Sequence, residues 1–216
     1  MSEDNGPPDG ADWDWVTDPE FGLALCLIFA RGATPQRIIE AFGLDPAVAQ
    51  LLPESRAHEA PACIVPDADI TMGQSWVRAG QAGEWGFAID QSALNAEYYD
   101  EVACDLSQGS EAVEIFRAME LTGVEYLADG SVVTSFEPGA EWDRAGSRPD
   151  QFLPEMRAAG LATEVPGEAD FAGAGDGSGD GDPLVPALTM LTRALGIRLS
   201  AEEVRGPLLT VQRCPA

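Results

Sequence analysis

The chain contains no lysine: all 12 of its basic residues are arginine. A Schiff-base amine and the lysine of a P-loop are therefore excluded. Histidine is almost absent too. His58 stands alone, which removes most catalytic triads and every multi-histidine metal site. It lies in the polar stretch 54–59 and reads as a solvated surface side chain. The four cysteines, Cys26, Cys63, Cys104 and Cys214, form no C-x-x-C pair, so zinc and dithiol redox motifs are missing. They read as reduced, buried thiols of a cytoplasmic protein. Long apolar runs are lacking as well. The most apolar stretch, residues 21–30, is half the roughly 20 residues that a membrane span needs. Residues 1–12 are acidic and polar, where an export signal is basic and then apolar. No G-x-S-x-G elbow, no P-loop and no G-x-G-x-x-G between a strand and a helix is present. No cofactor is expected.

What the chain has in excess is negative charge. Asp and Glu number 37, for a net charge of −25. Such a field repels nucleic-acid phosphate and anionic headgroups, so no direct nucleic-acid or membrane contact is expected. It attracts a basic protein surface. Its plainer consequence is solubility. With 216 residues, 45% of them apolar, the chain is long enough to bury a core without disulfides or metal.

Four regions follow along the chain: an acidic leader (1–12), an α+β domain (13–165), a flexible linker (166–183) and a C-terminal helical segment (184–216) packing back on the same domain. The linker holds six Gly and four Asp and cannot bury enough to order itself. Thr17-Asp18-Pro19-Glu20 reads as a helix start, and residues 19–30, apolar on nearly every side, as a core helix closed by Arg31-Gly32. Thr34-Pro35 opens a second helix with Ile38, Ile39 and Phe42 inward. Residues 44–61 read as a short helix and a connection. Residues 73–79 and 84–90 form a hairpin, because Trp85, Phe87 and Ile89 alternate with smaller residues. Residues 92–107 are helical, with Leu94, Tyr98, Val102 and Leu106 on one stripe. A strand at 112–118 precedes a second hairpin, 123–128 and 131–136, turned by Asp129-Gly130. Helices follow at 149–159 and 184–195, with a near capping box at Ser200 and Glu203. Residues 207–213 are a last strand or an extended tail. The sum is an α+β fold: a mainly antiparallel sheet of about five strands with helices packed on one face.

Asp176-Gly-Ser178-Gly-Asp180-Gly181 matches the first half of a calcium loop, but Ala187 falls where the bidentate Glu is required. It reads as acidic linker. Aromatic residues flanked by acids are the better candidates for contact with a partner: Trp13 and Trp15 beside Asp12 and Asp14, and Trp142 beside Glu141. Arginine stacks on such rings and pairs with such carboxylates.

The segments TDPEFGLALCLIFARGATPQRIIEAFG (17–43), GEWGFAID (83–90), DGSVVTSFEP (129–138) and GPLLT (206–210) resemble an uncharacterised actinobacterial family catalogued only as a domain of unknown function. The resemblance spans residues 15–210. Arginine without lysine, with much alanine and glycine, fits a high-GC actinobacterial source. The shared motifs are helix caps, a hairpin tryptophan and a turn, and the family brings no catalytic residues to carry over.

Three functions remain. The first is a non-catalytic, immunity-like, inhibitor or accessory protein that docks a basic partner. The second is a small enzyme or ligand sensor with a pocket between the sheet and the first helix, lined by Trp76 and Trp85, where Arg31 and Arg78 hold an anion. The third is a nucleic-acid mimic.

Overall fold

The apolar run that reads as a core helix is a central strand. Only Pro19–Gly22 (α1) is helical, and Ala24–Arg31 (β1) is extended, with its six inner residues buried. Leu25, Leu27 and Phe29 enter one core, and Cys26, Ile28 and Ala30 enter another. A strand buried on both faces shows no polar alternation. A short apolar run of this kind does not separate strand from helix.

The structure, a computed structural model, describes residues 13–22, 24–65, 75–91, 96–119, 121–165 and 181–215. The acidic leader, most of the Gly/Asp linker and the loop at Asp176–Asp180 lie outside the described residues.

Helix α2 (Pro35–Ala41) starts as expected, with Thr34 Oγ1 accepting from the Arg37 amide at 3.2 Å. The connection after it holds a short strand, β2 (Gln50–Leu52), a 3₁₀ turn (Glu54–Glu59) and β3 (Ala62–Val65). β4 (Ser75–Ala82) and β5 (Trp85–Asp90) form the first hairpin, closed more tightly than predicted because Ala82 faces Trp85. Helix α3 (Ala96–Leu106) leads to β6 (Glu111–Ala118), β7 (Leu121–Ala128) and β8 (Ser131–Phe136). Asp129 and Gly130 turn that last hairpin, both with positive φ, which is the backbone of a type I′ turn. Helices α4 (Leu153–Ala158), α5 (Leu184–Leu195) and α6 (Ala201–Arg205) follow, and the chain closes with β9 (Leu208–Pro215). A full capping box joins Ser200 and Glu203 ahead of α6.

The sheet has nine strands, in the order β2-β9-β4-β5-β1-β6-β7-β8, with β3 also beside β9. The expectation of about five strands is corrected by β1, β2, β3 and β9. β2 and β3 are too short to show a period, and β9 is recruited by contacts far along the chain. The β3–β9 pair is parallel and all the others are antiparallel. Helices cover both faces, not one. α2 and α3 lie over Ile28, Val77 and Val211, while the 3₁₀ turn Asp14–Thr17, α4 and α5 lie over Leu27, Phe87 and Ile115. The C-terminal segment completes the same sheet, since β9 runs between β4 and β2.

Candidate functional site

The aromatic residues expected to meet a partner are mostly interior. Trp13 is 0% exposed, its Nε1 donates to Thr192 Oγ1 at 2.8 Å, and Phe29 meets its ring edge-on. Trp15 is buried too, with Nε1 donating to the Leu199 carbonyl at 2.8 Å and Phe21 against its ring. Each indole has its apolar body covered and its one donor satisfied, so neither is offered to a partner. Glu141 is also buried. Its Oε1 accepts from the Gly139 amide and its Oε2 from the Ala162 amide, which makes it a clamp between two loops. Trp142 is half-buried and Asp14 is exposed. Asp12 lies outside the described residues. Of the five described residues, Trp13, Trp15 and Glu141 are interior, so the five do not form one exposed surface.

The anion-holding arginines are likewise committed. Arg31 lies between Glu84 and Glu111 and over the Trp85 ring. Arg78 is buried and donates to the carbonyls of Val204 and Gly206. Trp85 is itself buried, with Nε1 donating to the Leu195 carbonyl. Of the two tryptophans expected to line a ligand pocket, Trp85 is thus core and Trp76 is half-buried on β4.

Buried charge gathers on the other face, beneath α3. Arg213 on β9 sits 3.3 Å from Asp90 on β5, both side chains almost fully enclosed. The guanidinium lies 4.7 Å from the Tyr98 ring centroid and 5.7 Å from that of Phe42. Among the described residues no nitrogen of this guanidinium makes a hydrogen bond, and neither does buried Ser75 Oγ on the neighbouring strand. Burial pushes the Tyr98 hydroxyl up to about 12, against the opposing pull of Arg213. Cys26 faces Asp90 across the strand pair. Its thiol is pushed well up by burial and then by Glu114 and Asp90, so it is no thiolate nucleophile at neutral pH. Glu114 on β6 is 2% exposed. Burial, then the charges of Asp100 and Glu125, push its carboxyl up to about 9, so it is protonated at neutral pH. The sequence shows these residues only as members of an abundant class. Their burial is set by α3 and by β9.

Among the described residues no three His, Cys, Asp or Glu side chains form a set that could hold a metal ion. No helix among them is long and apolar enough to cross a membrane. His58 is exposed on the 3₁₀ turn Glu54–Glu59.

Among the described residues a cleft of about 590 Å³ lies where β2, β4 and β9 meet α6 and the start of α2. Leu51, Phe87, Leu208 and Leu209 supply apolar walls, and Glu202 and Glu203 supply the charge. Its volume falls in the range of ligand sites. Gly80 forms part of its floor. A Cβ there would stand 2.6 Å from Phe87 Cζ and 2.7 Å from Leu208 Cδ2, so glycine lets those two side chains close over β4.

The molecule's own carboxylates consume its cations. Among the described residues, arginines 31, 37, 56, 117, 144, 157, 205 and 213 pair with Asp or Glu. Arg117 and Asp182 form the most enclosed of the pairs outside the α3 face, at 2.7 Å. No curated protein and no solved structure matches the chain. Residues 8–206 match a family described as "Family of unknown function (DUF6461)", ending just before β9. The chain belongs to that family of unknown function, DUF6461.

Proposed function

We propose that this chain is a non-catalytic, acidic binding protein that docks a basic surface of a protein partner in the cytoplasm. The observation that carries the reading is the charge balance in space. Most of the arginines pair with carboxylates of the chain itself, and a large surplus of carboxylates remains beyond them. A field of this size speeds encounter with a cationic surface and selects against anionic ones. The buried groups also favour binding over catalysis. Cys26 is held as a thiol and Glu114 as a neutral acid. The four cysteines are free, as a reducing compartment requires.

The test is capture on the immobilised full chain from the lysate of its source cells, washed at low and then high salt. Basic proteins should be retained at low salt and released at high salt, and should be lost from a variant with exposed acids such as Asp14, Glu101 and Glu137 reversed to arginine. Retention that ignores both salt and charge reversal would overturn the reading.

A second reading has one observation in its favour. Among the described residues, buried polar atoms of Arg213 and Ser75 find no hydrogen bond, and such groups call for a partner. A small ligand with a carboxylate or amide would supply one. Thermal-shift screening of amino acids and small carboxylates checks this, and no stabilisation by any of them would dismiss it.

A further inference from the structure

The sheet face beneath α3 continues past the helix. Cross-strand pairing sets Glu114 opposite Glu125, Phe116 opposite Gly123 and Ala118 opposite Leu121, so these six positions share that face. α3 covers its inner part, with Tyr99 against Phe116. Among the described residues the outer part is open. Leu121 is 69% exposed, and a Cβ added to Gly123 would meet no atom within 4 Å. Beside them lies a concavity of about 250 Å³, lined by Gly123, Glu125, Ser135, Glu137 and Asp143. Three of these residues are acids, and no arginine lines the concavity. Arg144, next in sequence to Asp143, is committed to Asp150 and to the carbonyls of Glu141 and Thr163.

We propose that this surface seats an arginine side chain of the basic partner, with its guanidinium in the concavity and an apolar neighbour on Leu121. The proposal rests on the acidic-docking reading above and gives it a location. Two observations beyond the lining acids point to such a ligand. The first is Glu114, directly across the strand pair from Glu125. It is 2% exposed, and its Oε2 has no hydrogen bond among the described residues. Burial pushes the Glu114 and Glu125 carboxyls up, and the charge of Asp100 on α3 pushes both further. A cation beside Glu125 relieves that crowding, because opposite charge favours the ionised carboxylate. The second is Leu121, a large apolar side chain left uncovered next to the acids, which gains from contact with a partner. Arginine suits both features: its stem packs on apolar surface and its planar head pairs with carboxylates. A metal ion does not fit, since among the described residues no three acids, cysteines or histidines are placed to hold one.

The probe is the capped dipeptide acetyl-Leu-Arg-amide, titrated into the full chain and followed by backbone amide resonances. It should move those of Gly123, Glu125 and Ser135 in a saturable way. Its citrulline counterpart, similar in shape and without charge, should bind at least about tenfold more weakly. Glu137→Arg and Leu121→Asp, both at exposed positions and both checked for an unchanged melting temperature, should each weaken the arginine dipeptide by about tenfold. Equal binding of the citrulline dipeptide, or binding that both variants leave intact, would overturn this site while leaving acidic docking standing. No shift at these amides, with basic proteins still captured by the chain, would do the same. Failure of both the dipeptide and the protein capture would remove the two together.

Discussion

Glu114 illustrates how much a single residue depends on what covers it. In the strand it is one of two glutamates, at 111 and 114, with nothing local to separate them. In the fold Glu111 pairs with Arg31, whereas Glu114 lies beneath α3 facing Asp100, with Glu125 beside it on β7 and Cys26 nearby on β1. Its carboxyl titrates at about 9 in the folded chain against an ordinary 4.5. Between those values the folded state keeps a proton that the unfolded state has released, so stability falls as pH rises through that interval. Glu114→Gln keeps the shape and cannot ionise. Urea unfolding at a series of pH values should give a flatter stability profile for the variant than for the parent. Equal slopes would mean that Glu114 is already ionised in the folded chain. Trp13 and Trp15 carry the same lesson. Acidic neighbours in sequence point to the surface, but their partners Thr192 and Leu199 lie 179 and 184 residues away, beyond the reach of any local pattern.

At the scale of elements, legibility followed locality. Helix α2 was readable from Thr34-Pro35, the β7–β8 hairpin from Asp129-Gly130, and β5 from the alternation of Trp85, Phe87 and Ile89. These signals lie within a few residues of the structure they dictate. β1 was misread because burial on both faces erases the period. β9 was undecided because its assignment depends on β4 and β2. The cleft was invisible, since it arises from a pairing that stops at Ala79. One element-scale prediction concerns the 3₁₀ turn Asp14–Thr17, which Trp13 fastens to α5. Trp13→Ala removes a fully buried indole and leaves Thr192 facing a cavity, so it should cost ~3–5 kcal/mol. Denaturant titration should show a lower midpoint with an unchanged slope. A loss within experimental error would show that the turn does not dock in solution.

For the whole molecule the dominant quantity is its net charge of −25. Like charges on one compact body repel, and salt screens them over about 10 Å at 0.1 M. The melting temperature should therefore rise as sodium chloride goes from about 10 mM to about 150 mM. A fall over the same range would mean that surface ion pairs such as Arg56–Glu59 outweigh the repulsion.

β9 has a consequence for how the protein is made. The strand that joins β4 to β2 and β3 comes after every other described strand in chain order. During synthesis, every earlier strand leaves the ribosome before the one that must lie between them. Until Leu208–Pro215 emerges, β4 presents an open edge from Ser75 onward and β2 and β3 have no neighbour to pair with. The nascent chain is thus a template for unwanted strand pairing until β9 emerges. The same negative charge that invites a basic partner also keeps neighbouring nascent copies apart during that interval.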